Sequence, residues 1–275
     1  KVTQVEEKGN GRRTGMSCKR MEQAVVISQD RIAPDIFSMW LQTEEIASLA
    51  VPGQFLSLYT EDKSKLLPRP ISLCEIDEEK GRLRVVYRVT GANTGTEQFS
   101  RKVAGEKIKV LGPLGNGFPL DVGRGKKVCL IGGGIGVPPL LELARQLEAD
   151  LQIVMGYRDL TFLAEEFQKY GTLFVATEDG SAGTKGTVLD AIREQAVSAE
   201  LIYACGPAPM LRAVKQYAET ENIVCYVSME ERMACGIGAC LACICQAKEV
   251  DEHRNVHNKR VCKDGPVFLS TEVEI

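Results

Sequence analysis

Five of the chain's ten cysteines crowd one stretch near its C-terminus: Cys235, Cys240, Cys243, Cys245 and Cys262. Four residues separate Cys235 from Cys240, two separate Cys240 from Cys243, and 18 separate Cys243 from Cys262. A C-x4-C-x2-C run with a distant fourth cysteine is the plant-type spacing for a [2Fe–2S] cluster. Gly236 and Gly238 lie inside the run, where they let backbone N–H groups turn toward the sulfurs. The expected ligands are Cys235, Cys240, Cys243 and Cys262; Cys245 competes for the fourth place but sits very close to Cys243. A zinc reading competes as well. Cys240-x2-Cys243 is followed by His253-x3-His257, the ligand types of a Cys2His2 site. Its inner interval is short, and it would strand Cys235 and Cys262. The remaining cysteines, Cys18, Cys74, Cys129, Cys205 and Cys225, are scattered and read as buried small hydrophobes.

A second chemistry is written in glycines. Gly132-Gly133-Gly134-Ile135-Gly136 follows an apolar run and precedes a helical pattern. Glycines there let the backbone approach a pyrophosphate, whose charge a helix N-terminus favours. The full G-x-G-x-x-G fingerprint is absent, because Val137-Pro138-Pro139 fills the third spacing. Cys205-Gly206-Pro207 ends a later apolar run, and both motifs are expected at the carboxyl ends of parallel strands, facing one crevice. Together they favour a nicotinamide nucleotide. Upstream, Arg69-Pro70-Ile71-Ser72 opens a strand pattern, and an Arg there can pair a phosphate through its planar fork. Val86-Tyr87-Arg88 closes another strand, and Gly95-Thr96 starts a short helix that offers N–H groups to a phosphate.

These groups need elements to position them. Short β-like runs recur at Ala24–Ser28, Gln54–Leu58, Ile71–Glu75, Leu83–Val89 and Lys107–Leu111, as in an antiparallel barrel, with one amphipathic segment at Thr94–Val103. From residue 126 the texture changes to strands near 126–134, 151–157, 172–179, 201–206 and 224–229. They alternate with helical stretches near 138–147, 162–170, 188–195 and 210–218. That alternation signals a doubly wound parallel sheet. The expected units are residues 1–20, a disordered or non-native N-terminal extension with Met16 and Met21 as candidate starts; 21–122, a β-barrel; 123–228, an α/β domain; and 229–275, a small cysteine-rich subdomain. Composition is that of an ordinary globular protein, 44% hydrophobic and 26% charged. A net charge of −3 argues against a global attraction to nucleic acid or anionic membrane. The stretch 1–20 lacks the apolar core of a secretory signal, and no run reaches the roughly 20 apolar residues of a membrane span. The expected location is the cytoplasm.

The R-P-x-S strand, the G-T helix start, the G-P-L-G-x-G-F loop at Gly112–Phe118, the G-G-G-I-G turn and the C-G-P strand end resemble the ferredoxin reductase family. There a β-barrel binds FAD and a following α/β domain binds NAD(P). The tail, Met233–Cys243 with Lys259–Phe268, is similar to that of the electron transfer subunits of class B dihydroorotate dehydrogenases. Related NAD(P)H:acceptor subunits of sulfide dehydrogenase and transhydrogenase type share such tails.

The resemblance implies that Arg69 holds the FAD pyrophosphate, Ser72 sits near the flavin N5, and Gly95 and Thr96 contact the phosphates. Pro70, Ile71, Val86, Tyr87 and Arg88 complete the flavin site. Gly133, Gly134, Gly136, Cys205, Gly206 and Pro207 fall to the nicotinamide nucleotide. Ile71 stands where many members have Tyr, which leaves open what covers that flavin face. The resemblance further implies an electron relay: an FMN-containing catalytic partner oxidises dihydroorotate in pyrimidine biosynthesis, and electrons pass through the cluster and FAD to NAD+. The assembly implied is a heterotetramer, two of each subunit. Arg158 and Asp159 leave NADP possible, and the resemblance favours NAD. No general acid or nucleophile from the chain is expected, since its two histidines both lie in the tail.

Overall fold

The computed structural model describes residues 19–248 and 257–275. The N-terminal extension up to residue 18, with Cys18 and Met16, and His253 of the zinc reading lie outside the described residues.

Six strands close a barrel: β1 (Arg20–Ala33), β2 (Ile36–Gln42), β3 (Phe55–Tyr59), β4 (Arg69–Asp77), β5 (Arg82–Arg88) and β6 (Lys107–Leu114), in the spatial order β1-β2-β5-β4-β3-β6. Leu41, Leu56, Leu58, Leu73, Leu83, Val85 and Val110 fill the interior, all fully buried. A short helix α1 (Ile46–Leu49) follows β2, and α2 (Gly95–Ser100) covers one end, started by Thr94, whose hydroxyl accepts the Glu97 N–H. β1 begins at Arg20, paired with Gly112, inside the stretch expected to be an extension. β2 went unlisted among the expected strands. It contains Ser38, a polar residue 3% exposed, which accepts from Arg84 Nε.

The second domain holds α3 (Pro139–Gln146), α4 (Ala164–Phe167), α5 (Val188–Glu194) and α6 (Ala208–Thr220), packed on a sheet. Its strands are β7 (Lys127–Gly133), β8 (Asp150–Tyr157), β9 (Thr172–Thr177), β10 (Thr184–Lys185), β11 (Leu201–Cys205) and β12 (Val224–Ser228). Along β7, Val128 and Leu130 face the core around α3, while Cys129 and Ile131 face that around α5 and α6. Burial on both faces is what a parallel sheet between helices requires. The order β10-β9-β8-β7-β11-β12 places the switch point between β7 and β11. α4 is shorter than the pattern at 162–170 predicts. Leu163 is left-handed at φ 61°, so the helix cannot start before it, and Tyr157 donates to the Phe162 carbonyl.

The tail adds a hairpin, β13 (Ile244–Gln246) with β14 (Asn258–Arg260), and then β15 (Val267–Leu269). β15 runs antiparallel to β12 and becomes the seventh strand of the sheet. Cys243, Cys245, Val261, Cys262 and Phe268 share a core with Ile131, Val214 and Val227, so the tail is built into the α/β domain. Among the described residues, no helix is long and apolar enough to cross a membrane.

Candidate functional site

A cavity of about 630 Å³ separates the barrel from the sheet domain. Its barrel wall contains Arg69, Pro70, Ile71 and Ser72 of β4, Val86, Tyr87 and Arg88 of β5, and Thr96 of α2. Arg69 and Ser72 are three residues apart, which in a regular strand sets them on opposite faces. They share the cavity because Arg69 is the first residue of β4, and its side chain lies against Gly95. A Cβ at position 95 would come 3.0 Å from Arg69 Nε. Arg69 Nη1 donates to the Leu67 carbonyl at 2.6 Å, and Thr96 is held 3.1 Å from the Thr94 hydroxyl. Tyr87 reaches this wall from a buried position. Its ring is 1% exposed, stacked on Phe37 and edge-on to Phe99, and its hydroxyl donates to Gln29 at 2.7 Å. Burial also raises its pKa well above the usual tyrosine range. The Tyr87 ring is packed into the barrel core, and the residue borders the cavity beside Val86 and Arg88.

The opposite wall was invisible to local patterns. It is formed by Ile135 of the glycine turn, by Ser228–Met233 where the chain leaves β12, and by Pro266. This segment faces Ile71 across the cavity.

The two glycine motifs meet at the switch point. Gly136 lies so close to β11 that a Cβ would fall 2.5 Å from the Cys205 carbonyl oxygen and 2.6 Å from Gly206 Cα. Gly133 N is likewise within 3.2 Å of where a Cβ on Gly206 would stand. Cys205 is 1% exposed, and burial drives its thiol well above the ordinary range, so it offers no thiolate. Two further cavities flank the first. One, of about 540 Å³, opens beside Gly206 and Pro207. The other, of about 300 Å³, is lined by Gly134, Tyr157, Arg158 and Asp159, with Arg88 from the barrel.

The four predicted cysteine ligands come as two pairs. Cys240 Sγ is 3.2 Å from Cys235 Sγ, and the Cys240 N–H points at Cys235 Sγ at 3.3 Å. The Cys262 N–H points at Cys243 Sγ at 3.5 Å. Cys235 and Cys240 are half-buried, whereas Cys243 and Cys262 are buried. Burial pushes the Cys235 thiol up, but N–H groups of Cys240 and Ile237, the Cys240 side chain and the N–H of Ala239 outweigh it and bring it to about 6. Burial and the neighbouring Cys243 push Cys262 up to about 12. The loop turns at Gly236 and Gly238, both at positive φ, and packs on the barrel, where a Cβ on Gly236 would come 2.9 Å from Ser57 Oγ. Among the described residues, no three His, Cys, Asp or Glu side chains converge on one metal ion. Sulfur donors, N–H groups aimed at them and paired placement fit a polynuclear iron–sulfur group. Cys245 sits on β13, borders the cavity beside Gly206, and shares a core with Cys243 and Cys262.

Comparison with known proteins follows the same division. Residues 230–274 match the family model of the iron-sulfur cluster binding domain of dihydroorotate dehydrogenase B, and residues 130–216 that of the oxidoreductase NAD-binding domain. A protein of Geobacillus sp. (strain WCH70), named dihydroorotate dehydrogenase B (NAD(+)), electron transfer subunit, is 44% identical over 261 residues. The match covers 92% of this chain and 98% of that protein. The chain belongs to this family. Its counterpart of the same name in Bacillus cereus (strain B4264) is 42% identical, again over 92% of this chain and 98% of the relative. Among solved structures, that of an NADH-dependent reduced ferredoxin-NADP oxidoreductase superposes with a TM-score of 0.82 at 29% identity, covering 92% of this chain and 90% of the other. The ferredoxin reductase of carbazole 1,9a-dioxygenase shares the fold at a TM-score of 0.63 and 19% identity, over 74% of this chain and 67% of the other. Within the family, the barrel, the nucleotide sheet and the cysteine tail form one oxidoreductase subunit.

Proposed function

We propose that the chain carries electrons between an FMN-containing catalytic subunit that oxidises dihydroorotate and NAD+, through a [2Fe–2S] cluster and FAD bound to this chain. The observation that carries the reading is one continuous segment. Ser228–Met233 walls the large cavity, and Cys235, the first predicted cluster ligand, follows two residues later. A cofactor in that cavity and a cluster on the cysteine pairs are therefore neighbours.

Cys235 with Cys240, and Cys243 with Cys262, each supply two thiolates, as a two-iron cluster needs. Arg69 pairs with the FAD pyrophosphate through its fork, Gly95 keeps room for that guanidinium, and Thr96 hydrogen-bonds a phosphate. Ser72 presents its hydroxyl near the reacting edge of the flavin, with Pro70, Ile71, Val86, Tyr87 and Arg88 around it. Gly133, Gly134 and Gly136 admit the NAD pyrophosphate, and Cys205, Gly206 and Pro207 border its nicotinamide end. When bound, the flavin supplies the junction between one-electron exchange with the cluster and two-electron exchange with the nicotinamide, and the protein sets positions and potentials. The cluster end faces the partner subunit, in a cytoplasmic complex of two plus two chains.

An anaerobic absorption spectrum before and after dithionite, with iron and zinc counted, tests the cofactors. Flavin bands over broad cluster absorption with about two irons per chain are expected. Adding the catalytic subunit should then give orotate-dependent NADH oxidation. Flavin and iron without that activity would favour a related reductase subunit with another partner.

A further inference from the structure

Three stretches of chain carry the predicted cluster ligands, and one residue outside the cysteine motif meets all three. Arg260 ends β14 opposite Ile244, the residue after Cys243. The next residue, Val261, donates its N–H to the Cys243 carbonyl at 2.9 Å. The Arg260 guanidinium crosses to the loop of Cys235 and Cys240, where Nη1 donates to the carbonyl of Gly238 at 2.9 Å. The Arg260 carbonyl accepts the N–H groups of Lys263 and Asp264 at 3.0 and 2.7 Å, which folds the chain back around Cys262.

The fork is held, and so is its holder. Arg260 Nε donates to Asp264 Oδ2 at 3.1 Å and Nη2 to Oδ1 at 3.3 Å, and Oδ2 also accepts the Arg260 N–H at 2.8 Å. The Asp264 carbonyl accepts Asn116 Nδ2 at 2.9 Å, and the Gly265 carbonyl accepts the Asn116 N–H at 2.6 Å, so the barrel loop anchors the turn. The Arg260 side chain is 13% exposed, and its charge acts on the sulfurs of Cys243 and Cys262. A guanidinium keeps that charge at any working pH. The adjacent cation, Lys263, lays its methylenes on Gly238 and is exposed, so water screens its charge. Enclosing an ion pair gains little stability, because desolvation offsets the attraction. Beside an anionic centre the same charge has an electrical use.

We propose that Arg260 is a positioning residue for the cluster: its fork fixes the loop of Cys235 and Cys240 against the turn of Cys262, and its charge raises the cluster's reduction potential. Four thiolates make the loaded centre anionic, and one-electron reduction makes it more so, so a fixed cation nearby favours the reduced form. Asp264 works in the opposite sense, because its carboxylate masks part of the arginine's charge. The inference rests on the iron–sulfur reading above and adds to it a residue that ligates nothing.

The test is an anaerobic potentiometric titration of the chain loaded with flavin and iron, followed through the electron paramagnetic resonance signal of the reduced cluster. Arg260→Gln removes the charge and should disfavour reduction about tenfold, a potential roughly 60 mV lower for one electron. Asp264→Asn unmasks the arginine and should favour reduction about threefold, roughly 30 mV higher. Arg260→Lys keeps the charge and loses the fork. It should change the reduction equilibrium less than about twofold yet release iron to a chelator about tenfold faster. Potentials within about twofold of the wild-type equilibrium in both the Gln and Asn variants, or shifts of the same sign in the two, would overturn the proposal. So would a Lys variant that holds iron as firmly as the wild type, since the fork would then clamp nothing. Should Arg260→Gln fail to load iron, the sign of the Asp264→Asn shift decides. If the wild-type chain loads no iron, the iron–sulfur reading itself fails, and the proposal with it.

Discussion

Glu142 ties the two ligand-binding halves together, and its removal has a calculable cost. β3 pairs with β4 only from Arg69 to Ser72, so β4 beyond that point has an open edge. Glu142 of α3 closes it. Its carboxylate, with no solvent exposure, accepts the Ile76 N–H at 2.9 Å and Arg145 Nε at 3.1 Å, and also bonds Gln146. Arg145 Nη2 in turn donates to the Ile76 carbonyl at 2.7 Å. In Glu142→Ala the Ile76 N–H is orphaned in a buried place, at about 1–3 kcal/mol. The one lost buried methylene adds about 0.8 kcal/mol. Arg145, whose side chain is 42% exposed, returns to water and adds well under 1 kcal/mol. The expected loss is about 3 kcal/mol. Glu142→Gln keeps an acceptor for Ile76 and should lose about 1 kcal/mol. Urea denaturation of the holoprotein measures both. Because β4 begins with Arg69–Ser72 and α3 follows the glycine turn, the Ala variant should also slow flavin reduction by NADH. A loss below about 1 kcal/mol in the Ala variant, or a Gln variant as damaged as Ala, would refute the latch.

Three further expectations concern other parts of the chain. Cys240→Ser should lose the cluster's iron and transfer to the catalytic subunit while keeping NADH oxidation by two-electron dyes; an iron count with both assays checks it, and loss of both activities would indicate a structural role. Gly136→Ala forces a methyl against the β11 backbone and should cost about 1–3 kcal/mol in a urea titration, with weaker NAD+ binding in the folded fraction. Asp190 closes the capping box of α5, where the Thr187 side chain and N–H hold its carboxyl below the ordinary 3.8. A lowered pKa contributes stability that is complete above the unfolded value and lost as pH falls through the folded one. Asp190→Asn should therefore cost about 0.5–1 kcal/mol at pH 7 and little at pH 2, measured by denaturant titration at each pH.

What could be read from residues alone was whatever repeats locally or carries fixed spacing. The β-α alternation from residue 126, the glycine turn and the cysteine spacing are of that kind, and the cysteines pair as 235 with 240 and 243 with 262. Four buried cysteines elsewhere, Cys74, Cys129, Cys205 and Cys225, serve as small hydrophobes. Features set by tertiary return were hidden. The cavity wall at Ser228–Met233 and the placement of β15 depend on where the chain comes back, which no local period encodes. The depth of the Tyr87 ring was hidden too, because adjacent strand residues point to opposite sides and its partners Phe37, Phe99 and Gln29 come from other elements. α4 misled because its apolar spacing is helical while Leu163 breaks the backbone into a left-handed conformation.

The pairing of β15 on β12 makes the redox segment an excursion rather than an appendage. It leaves the sheet at Ser228 and rejoins it at Val267, and these two residues stand directly opposite each other in the ladder. The Met229 N–H closes the neck on the Pro266 carbonyl at 2.9 Å. The four predicted cluster ligands all lie between the two sides of that neck, so both ends of the cysteine segment are fixed by one pair of facing residues in the sheet. Cutting the chain before β15 strips the sheet of its border strand and bares the β12 edge to any passing chain.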